Sequence, residues 1–226
     1  ITNDSTNSSS LAGAIRVDNG CILRGAGVDT ILNITNVTPR TAVYISNGGC
    51  IRDVKIILNS ASTKTPTYGM VYLASSDPIN YKSCARANNV HIETSAKGIY
   101  AAGGSVIENC VIKYAEGAGN VGITFTGGRC IARNNYISYP TTGITGSAGS
   151  YSAIIQGNYI LNVSGTGMTV GNGQIVSNNY VDGGTYSIRV ITTSKNSIIS
   201  GNYVHTVNIV DDGGSNCLIA NNLFEA

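Results

Sequence analysis

Apolar and polar positions along this chain follow a short phrase that returns at near-regular intervals. It reads Val106-Ile-Glu-Asn-Cys-Val-Ile112, Ile131-Ala-Arg-Asn-Asn-Tyr-Ile137 and Ile154-Ile-Gln-Gly-Asn-Tyr-Ile160. It continues as Ile175-Val-Ser-Asn-Asn-Tyr-Val181, Ile198-Ile-Ser-Gly-Asn-Tyr-Val204 and Leu218-Ile-Ala-Asn-Asn-Leu-Phe224. The closing apolar residues fall at 112, 137, 160, 181, 204 and 224, so the steps are 25, 23, 21, 23 and 20 residues. A period of this size marks stacked units, none of which can bury its apolar face alone. Each phrase is rich in Ile and Val and bounded by Gly, Asn and Ser, which predicts short strands. No run carries helical spacing. The economical arrangement is a coil of short strands and turns, each strand pairing in parallel with its equivalent in the next coil.

The phrase at the start, Ile22-Leu-Arg-Gly-Ala-Gly-Val-Asp-Thr-Ile-Leu32, and the repeated Asn-Tyr-Ile/Val resemble the pectin-lyase-like superfamily of right-handed parallel β-helices. The resemblance covers roughly residues 14–226 and includes viral tailspikes and surface adhesins. It implies an all-β, single-stranded solenoid of about eight to nine coils, a rod roughly 40 Å long at about 4.8 Å per coil. The expected organisation is a polar segment over 1–13 and a β-helix over 14–226, part of a longer chain. The stretch 60–83 is expected to leave the coil as a loop, and Pro140 to Tyr151 is a second loop candidate. The superfamily hosts many activities, so the resemblance fixes the fold more than the chemistry.

Three columns follow from the register. Asn135, Asn158, Asn179, Asn202 and Asn222 align, continuing Cys110 and Val90. The resemblance implies an inward Asn ladder that bonds from coil to coil, with Asn also tolerating left-handed backbone at a tight bend. The residue before each closing apolar residue should point outward. There Lys55, His91 and Val111 precede Tyr136, Tyr159, Tyr180 and Tyr203, an aromatic ladder suited to sugar rings or a protein partner. The same tyrosines could instead stack on each other or lie under a neighbouring subunit. The residue after the closing position brings Asp182, His205 and Glu225 onto three consecutive coils. An Asp beside a His could serve acid–base chemistry, and a Glu added to them could hold a divalent metal. Solvated charge at a strand end accounts for the same residues. Asp211-Asp212, in a Gly-rich turn, fits ordinary turn chemistry.

Composition narrows the reading further. Charged residues make up 12% of the chain and the net charge is +2, without the clustered Lys and Arg of a nucleic-acid face. No apolar run approaches the ~20 residues of a membrane span. Sequons at Asn3, Asn7, Asn33, Asn36 and Asn162 permit a glycosylated, exposed protein. Six cysteines include no Cys-x-x-Cys pair. Cys21, Cys50, Cys130 and Cys217 each precede an apolar residue that opens a repeat, which suggests small side chains buried between coils. A Cys21–Cys50 bridge stays open.

The enzyme patterns of the superfamily are incomplete here. Asp53 sits beside Arg52 and Lys55, yet no further Asp joins it as a calcium-dependent lyase would require. Of the polygalacturonase pattern only Asp211-Asp212 is present, His205 lies in Val-His-Thr, and the methylesterase set finds no placement. The first expectation is therefore an extracellular or virion-surface module that binds a host glycan or receptor, with a homotrimer implied by resemblance to viral members. The alternatives are a lyase or hydrolase of acidic glycan, with Ca as cofactor if a lyase and Lys55, His91, Asp182, His205 or Glu225 as its acid–base residues, and a purely structural module.

Overall fold

The computed structural model describes residues 13–18, 20–27, 29–34, 41–58, 69–74, 84–95, 97–114, 120–146, 151–206 and 208–225. Every strand ladder among them is parallel, and each coil contributes strands at three positions. The first position forms a nine-stranded sheet: Gly13–Val17, Thr41–Ser46, Val71–Ala74, Ile99–Ala101, Val121–Phe125, Thr142–Gly146, Thr166–Val170, Tyr186–Val190 and Ile209–Asp211. The second and third positions share a 16-stranded sheet, because Cys50–Leu58 and Arg86–Glu93 run unbroken through both. Elsewhere a bend separates them, as between Ile131–Arg133 and Tyr136–Ser138. This is the parallel β-helix that the repeat predicts, and nine strands at the first position agree with eight to nine coils.

The core is a set of stacked columns. Ile123, Ile144, Met168 and Ile188 fill it from the first strand, Ile107, Ala132, Ile155, Val176 and Ile199 from the second, and Ile112, Ile137, Ile160, Val181 and Val204 from the third. All are completely buried, and each such aliphatic side chain larger than Ala is worth about 1.5–3 kcal/mol. First and third strands approach closely at the glycines of the first. A Cβ on Gly143 would sit 2.5 Å from the Gly167 carbonyl oxygen and 2.6 Å from Ile160 Cγ2, so only glycine fits there.

Several expectations are corrected. Stretch 60–83 is not a single loop, since Val71–Ala74 takes its place between Thr41–Ser46 and Ile99–Ala101. The rest of that stretch, apart from 69 and 70, lies outside the described residues, as do Asn3, Asn7 and Asn36. Within Pro140 to Tyr151, Thr142–Gly146 is likewise a coil strand. The left-handed residue at the bend is not the ladder Asn but the one before it. Asn109, Asn134, Gly157, Asn178, Gly201 and Asn221 have φ between 54° and 66°, and Asp53 and Asn89 occupy that site earlier at 56° and 52°. Cys50 pairs with Ile22 rather than Cys21, so it sits on the outer face, one residue out of step. Cys21 is exposed, both thiols are free, and Cys217 is half-buried; of the four, only Cys130 is buried.

Candidate functional site

The outer face of the 16-stranded sheet carries side chains in straight columns, one per coil and about 4.8 Å apart. The column Lys55, His91, Val111, Tyr136, Tyr159, Tyr180, Tyr203 and Leu223 is unbroken in register. Its tyrosines stack nearly parallel. Ring centroids lie 6.4, 4.3 and 5.0 Å apart with interplanar angles of 7°, 7° and 9°. Parallel strands hold identical residues at that spacing, so the rings close over one another's faces and leave edges and hydroxyls outward. Tyr180 is closely covered on both faces, at 4.3 and 5.0 Å, whereas Tyr159 stays 47% exposed. Burial raises the Tyr180 phenol pKa, and the Asp182 charge adds to it.

Behind the bend, Asn135, Asn158, Asn179 and Asn202 are buried and bonded in series. Asn135 Nδ2 donates to Asn158 Oδ1, Asn158 Nδ2 to Asn179 Oδ1, Asn179 Nδ2 to Asn202 Oδ1 and Asn202 Nδ2 to Asn222 Oδ1, each at 2.9 Å. The backbone N–H of each of these four also donates to the next ladder oxygen, and each Nδ2 reaches a carbonyl of the preceding coil, as Asn179 does to Ile155 at 3.0 Å. Every polar atom of the inner amides is thereby used. Cys110 ends the ladder by donating its N–H to Asn135 Oδ1, and burial pushes its thiol up to about 12. Cys130 is raised likewise to about 12, so neither offers a thiolate near neutral pH.

Charge concentrates on the first five coils. On their second and third strands six cations, Arg24, Arg52, Lys55, Arg86, Lys113 and Arg133, meet three anions, Asp53, Glu93 and Glu108. Arg24 and Arg52 occupy one column in neighbouring coils. They share Asp53, at 3.3 and 4.0 Å, and Arg52 Nε is buried with no acceptor. The Asn89 amide, 2.9 Å away, holds the Asp53 carboxyl below its ordinary value, and both guanidiniums add to this. Burial opposes ionisation of Glu108, but Arg133 Nε at 2.7 Å and the Asn88 side chain outweigh it and lower its pKa. Lys55 Nζ sits 2.9 Å from Glu93 Oε1, and that hydrogen bond lowers the Glu93 pKa. His91 Nε2 is 3.4 Å from the same oxygen, and burial lowers its pKa.

At the other end Asp182 and His205 meet, Oδ1 to Nδ1 at 2.8 Å. Glu225 pairs in register with His205, but it is exposed. Among the described residues no three of His, Cys, Asp or Glu are grouped as a metal ion would need, and the three-residue metal site is not formed there. Asp211 accepts from the N–H groups of Gly213 and Gly214, a local turn, while Asp212 pairs with Arg189. Asn162 is exposed on a bulge, with φ 54°. No helix among the described residues is long and apolar enough to cross a membrane.

A sequence model described as a right-handed β-helix region matches residues 78–224. The chain belongs to the right-handed β-helix family. Solved structures that share this β-helix include a mannuronic acid specific polysaccharide family 6 lyase from the human gut microbiota, at 12% identity and TM-score 0.57 over 92% of this chain and 59% of that one. They also include PfbA, a surface adhesin of Streptococcus pneumoniae, at 14% identity and TM-score 0.48 over 94% and 62%. A third is the tailspike of E. coli bacteriophage HK620, at 10% identity and TM-score 0.40 over 93% and 48%. The chain thus spans 59% and 62% of the first two. Comparison with curated protein sequences finds no match.

Two outer ladders of this β-helix escaped the sequence reading. The first apolar residue of each phrase faces outward, giving the column Val106, Ile131, Ile154, Ile175, Ile198 and Leu218, with Ile175, Ile198 and Leu218 40–55% exposed. Two adjacent apolar residues read as core, whereas strand alternation must turn one of them out. On the nine-stranded sheet Tyr44, Tyr72 and Tyr100 stack edge-on at 5.4 and 5.2 Å. Their spacing of 28 residues was the available signal.

Proposed function

We propose that this β-helix is an extracellular binding module that holds an acidic glycan along the outer face of its first five coils. The observation that carries the reading is the cationic surplus there, with Arg24 and Arg52 sharing one carboxylate and Arg52 Nε buried without an acceptor. Arg52 Nε makes no hydrogen bond to the carboxylate it faces at 4.0 Å, and the partly exposed guanidinium would take an external carboxylate or sulfate oxygen on its open side. A straight column at coil spacing suits an extended polymer that repeats its anionic group. The likeness to a polysaccharide lyase supports the fold on which such a face is built, and the chemistry rests on these residues. The tyrosine column would contribute hydroxyl edges beside the track.

A second reading is a lyase or hydrolase, favoured by the oriented imidazole of His205 on Asp182 at 2.8 Å, which leaves Nε2 to exchange a proton. One experiment addresses both. Acidic and neutral oligosaccharides are screened for binding, and those bound are followed for new reducing ends and for the ultraviolet absorbance of unsaturated products. Salt-sensitive binding of acidic glycans without turnover supports the module. Turnover abolished by His205→Gln supports the enzyme. Binding of neutral glycans alone overturns the cationic track.

A further inference from the structure

Glu93 is contested from two sides. Its Oε1 lies 2.9 Å from Lys55 Nζ and 3.4 Å from His91 Nε2. Lys113 stands beside Glu93 in the next coil and His91 beside Lys55, so the four groups take four of the six places in two columns and three coils. The remaining neighbours of this cluster in its own columns, Ile31, Ile57, Val111 and Ser138, carry no charge. The His91 and Lys55 side chains are 19% and 22% exposed, yet Nε2 itself is buried and makes no hydrogen bond. An imidazole nitrogen without a hydrogen bond, 3.4 Å from a carboxylate already held by Lys55, is placed to donate to that carboxylate once the ring is protonated. Burial, with the flanking ammonium groups of Lys55 and Lys113, lowers its pKa against the pull of Glu93.

We propose that Lys55, His91 and Lys113 form an anion-binding site for a sulfate or carboxylate group, opened when a proton on His91 Nε2 draws Glu93 away from Lys55. The proton comes from solvent, and no covalent bond is made or broken apart from that N–H. Before protonation two ammonium groups and one carboxylate leave a surplus of one positive charge; afterwards the surplus is two. The imidazolium then donates Nε2–H to Glu93 Oε1, and Lys55, relieved of its partner, turns three donors to an incoming oxyanion. By linkage, an anion bound at this site must in turn make His91 easier to protonate. The identification of the anion as part of a glycan rests on the reading above; the site itself does not.

The test uses a sulfated oligosaccharide, whose charge is constant over the range, and inorganic sulfate as a minimal probe. Wild type should bind the oligosaccharide about fivefold more tightly at the lower end of the histidine range than above it. His91→Gln should remove that gain, and Glu93→Gln, which frees Lys55 permanently, should bind above the range as tightly as wild type binds below it. In parallel, NMR titration of the His91 ring should show its pKa rising when sulfate is present. A gain that survives His91→Gln, or weaker binding by Glu93→Gln, overturns the gate. Sulfate that leaves the His91 titration unmoved overturns the site. A sulfate response without oligosaccharide binding sinks the glycan reading and leaves the site standing, while oligosaccharide binding equal at both ends of the range does the reverse.

Discussion

The first five coils and the last four stack the same strands in the same register, yet they are held together by different chemistry. In the early coils the bend column is apolar, Val54, Val90 and Cys110, until Asn135 in the fifth, and cross-coil contacts on the 16-stranded sheet are mainly ionic: Arg24 to Asp53, Lys55 to Glu93, Arg133 to Glu108. In the later coils the bend column is a chain of amides, and stacked rings and aliphatic side chains dominate the surface beside two cross-coil polar contacts, Asp182 to His205 and Arg189 to Asp212. The second and third strands carry a net surplus of three cations in the first region. In the second they hold two anions, Asp182 and Glu225, with His205 as the sole titratable base. The coil therefore sets only spacing and direction. What sits on it is free to differ, and a like-charged column such as Arg24 and Arg52 is tolerated with Asp53 beside both guanidiniums.

The largest effect that separates the regions is expected inside the bend. Asn179→Ala would strand the Asn158 N–H, the Ile155 carbonyl and one lone pair of the Asn202 amide, all in a dry interior. Its cost should be about 3 kcal/mol or more, read as a lower denaturant midpoint at unchanged m-value. Cys110→Ala, at the equivalent position among early coils, keeps its backbone N–H bonded to Asn135 and should cost about 1 kcal/mol. Equal costs would mean that the ladder is not what binds the later coils.

Next comes the tyrosine stack. Tyr180→Ala removes ring contacts on both sides and should destabilise by about 1–3 kcal/mol, whereas Tyr180→Phe keeps the rings and should change stability by less than about 0.5 kcal/mol. A loss in Tyr180→Phe as large as in the alanine variant would show that the hydroxyl, not the stack, carries the stability.

The smallest effect is the pH dependence of the early coils. His91 titrates lower when folded than the ordinary 6.5, so the unfolded chain binds more protons below that value. Its contribution is full above pH 6.5 and falls away as the pH drops towards its folded pKa. Glu93 is lowered from 4.5, so its contribution holds above that value and is lost in acid. Denaturation across the histidine range should thus show stability declining with acid in wild type and a flatter profile in His91→Gln. An unchanged slope in the variant would place the titration elsewhere.

How far the sequence reaches differs between the regions for the same reason. In the later coils the Asn column recurs in every phrase and the Tyr column in all but the last, so coil, register and outward direction could all be read from spacing. Alternation alone should have turned Ile131 and Ile154 outward, but a pair of adjacent apolar residues gives no hint of which one faces water. The left-handed residue was hidden by its neighbour: Asn134 and Asn135 are the same residue type, and only the glycines at 157 and 201 mark which of the two bends the chain. First-position strands share a shorter signature, Gly-Ile/Met-Thr at 122–124, 143–145 and 167–169, which is absent from the other coils. Thr142–Gly146 and Val71–Ala74 resemble loop and insertion until their partners in adjacent coils are known. In the early coils the phrase itself dissolves into charge, and the meeting of Lys55, His91 and Glu93 depends on strands 36 residues apart lying in register.

The measurement that bears most directly on the division of labour is the affinity of one acidic oligosaccharide for Arg52→Gln and for Tyr180→Phe, side by side at low and moderate salt. A track on the early coils predicts that Arg52→Gln loses about tenfold or more and flattens the salt dependence, while Tyr180→Phe binds nearly as wild type. Binding that survives Arg52→Gln and fails in Tyr180→Phe would contradict it and move the glycan to the tyrosine column.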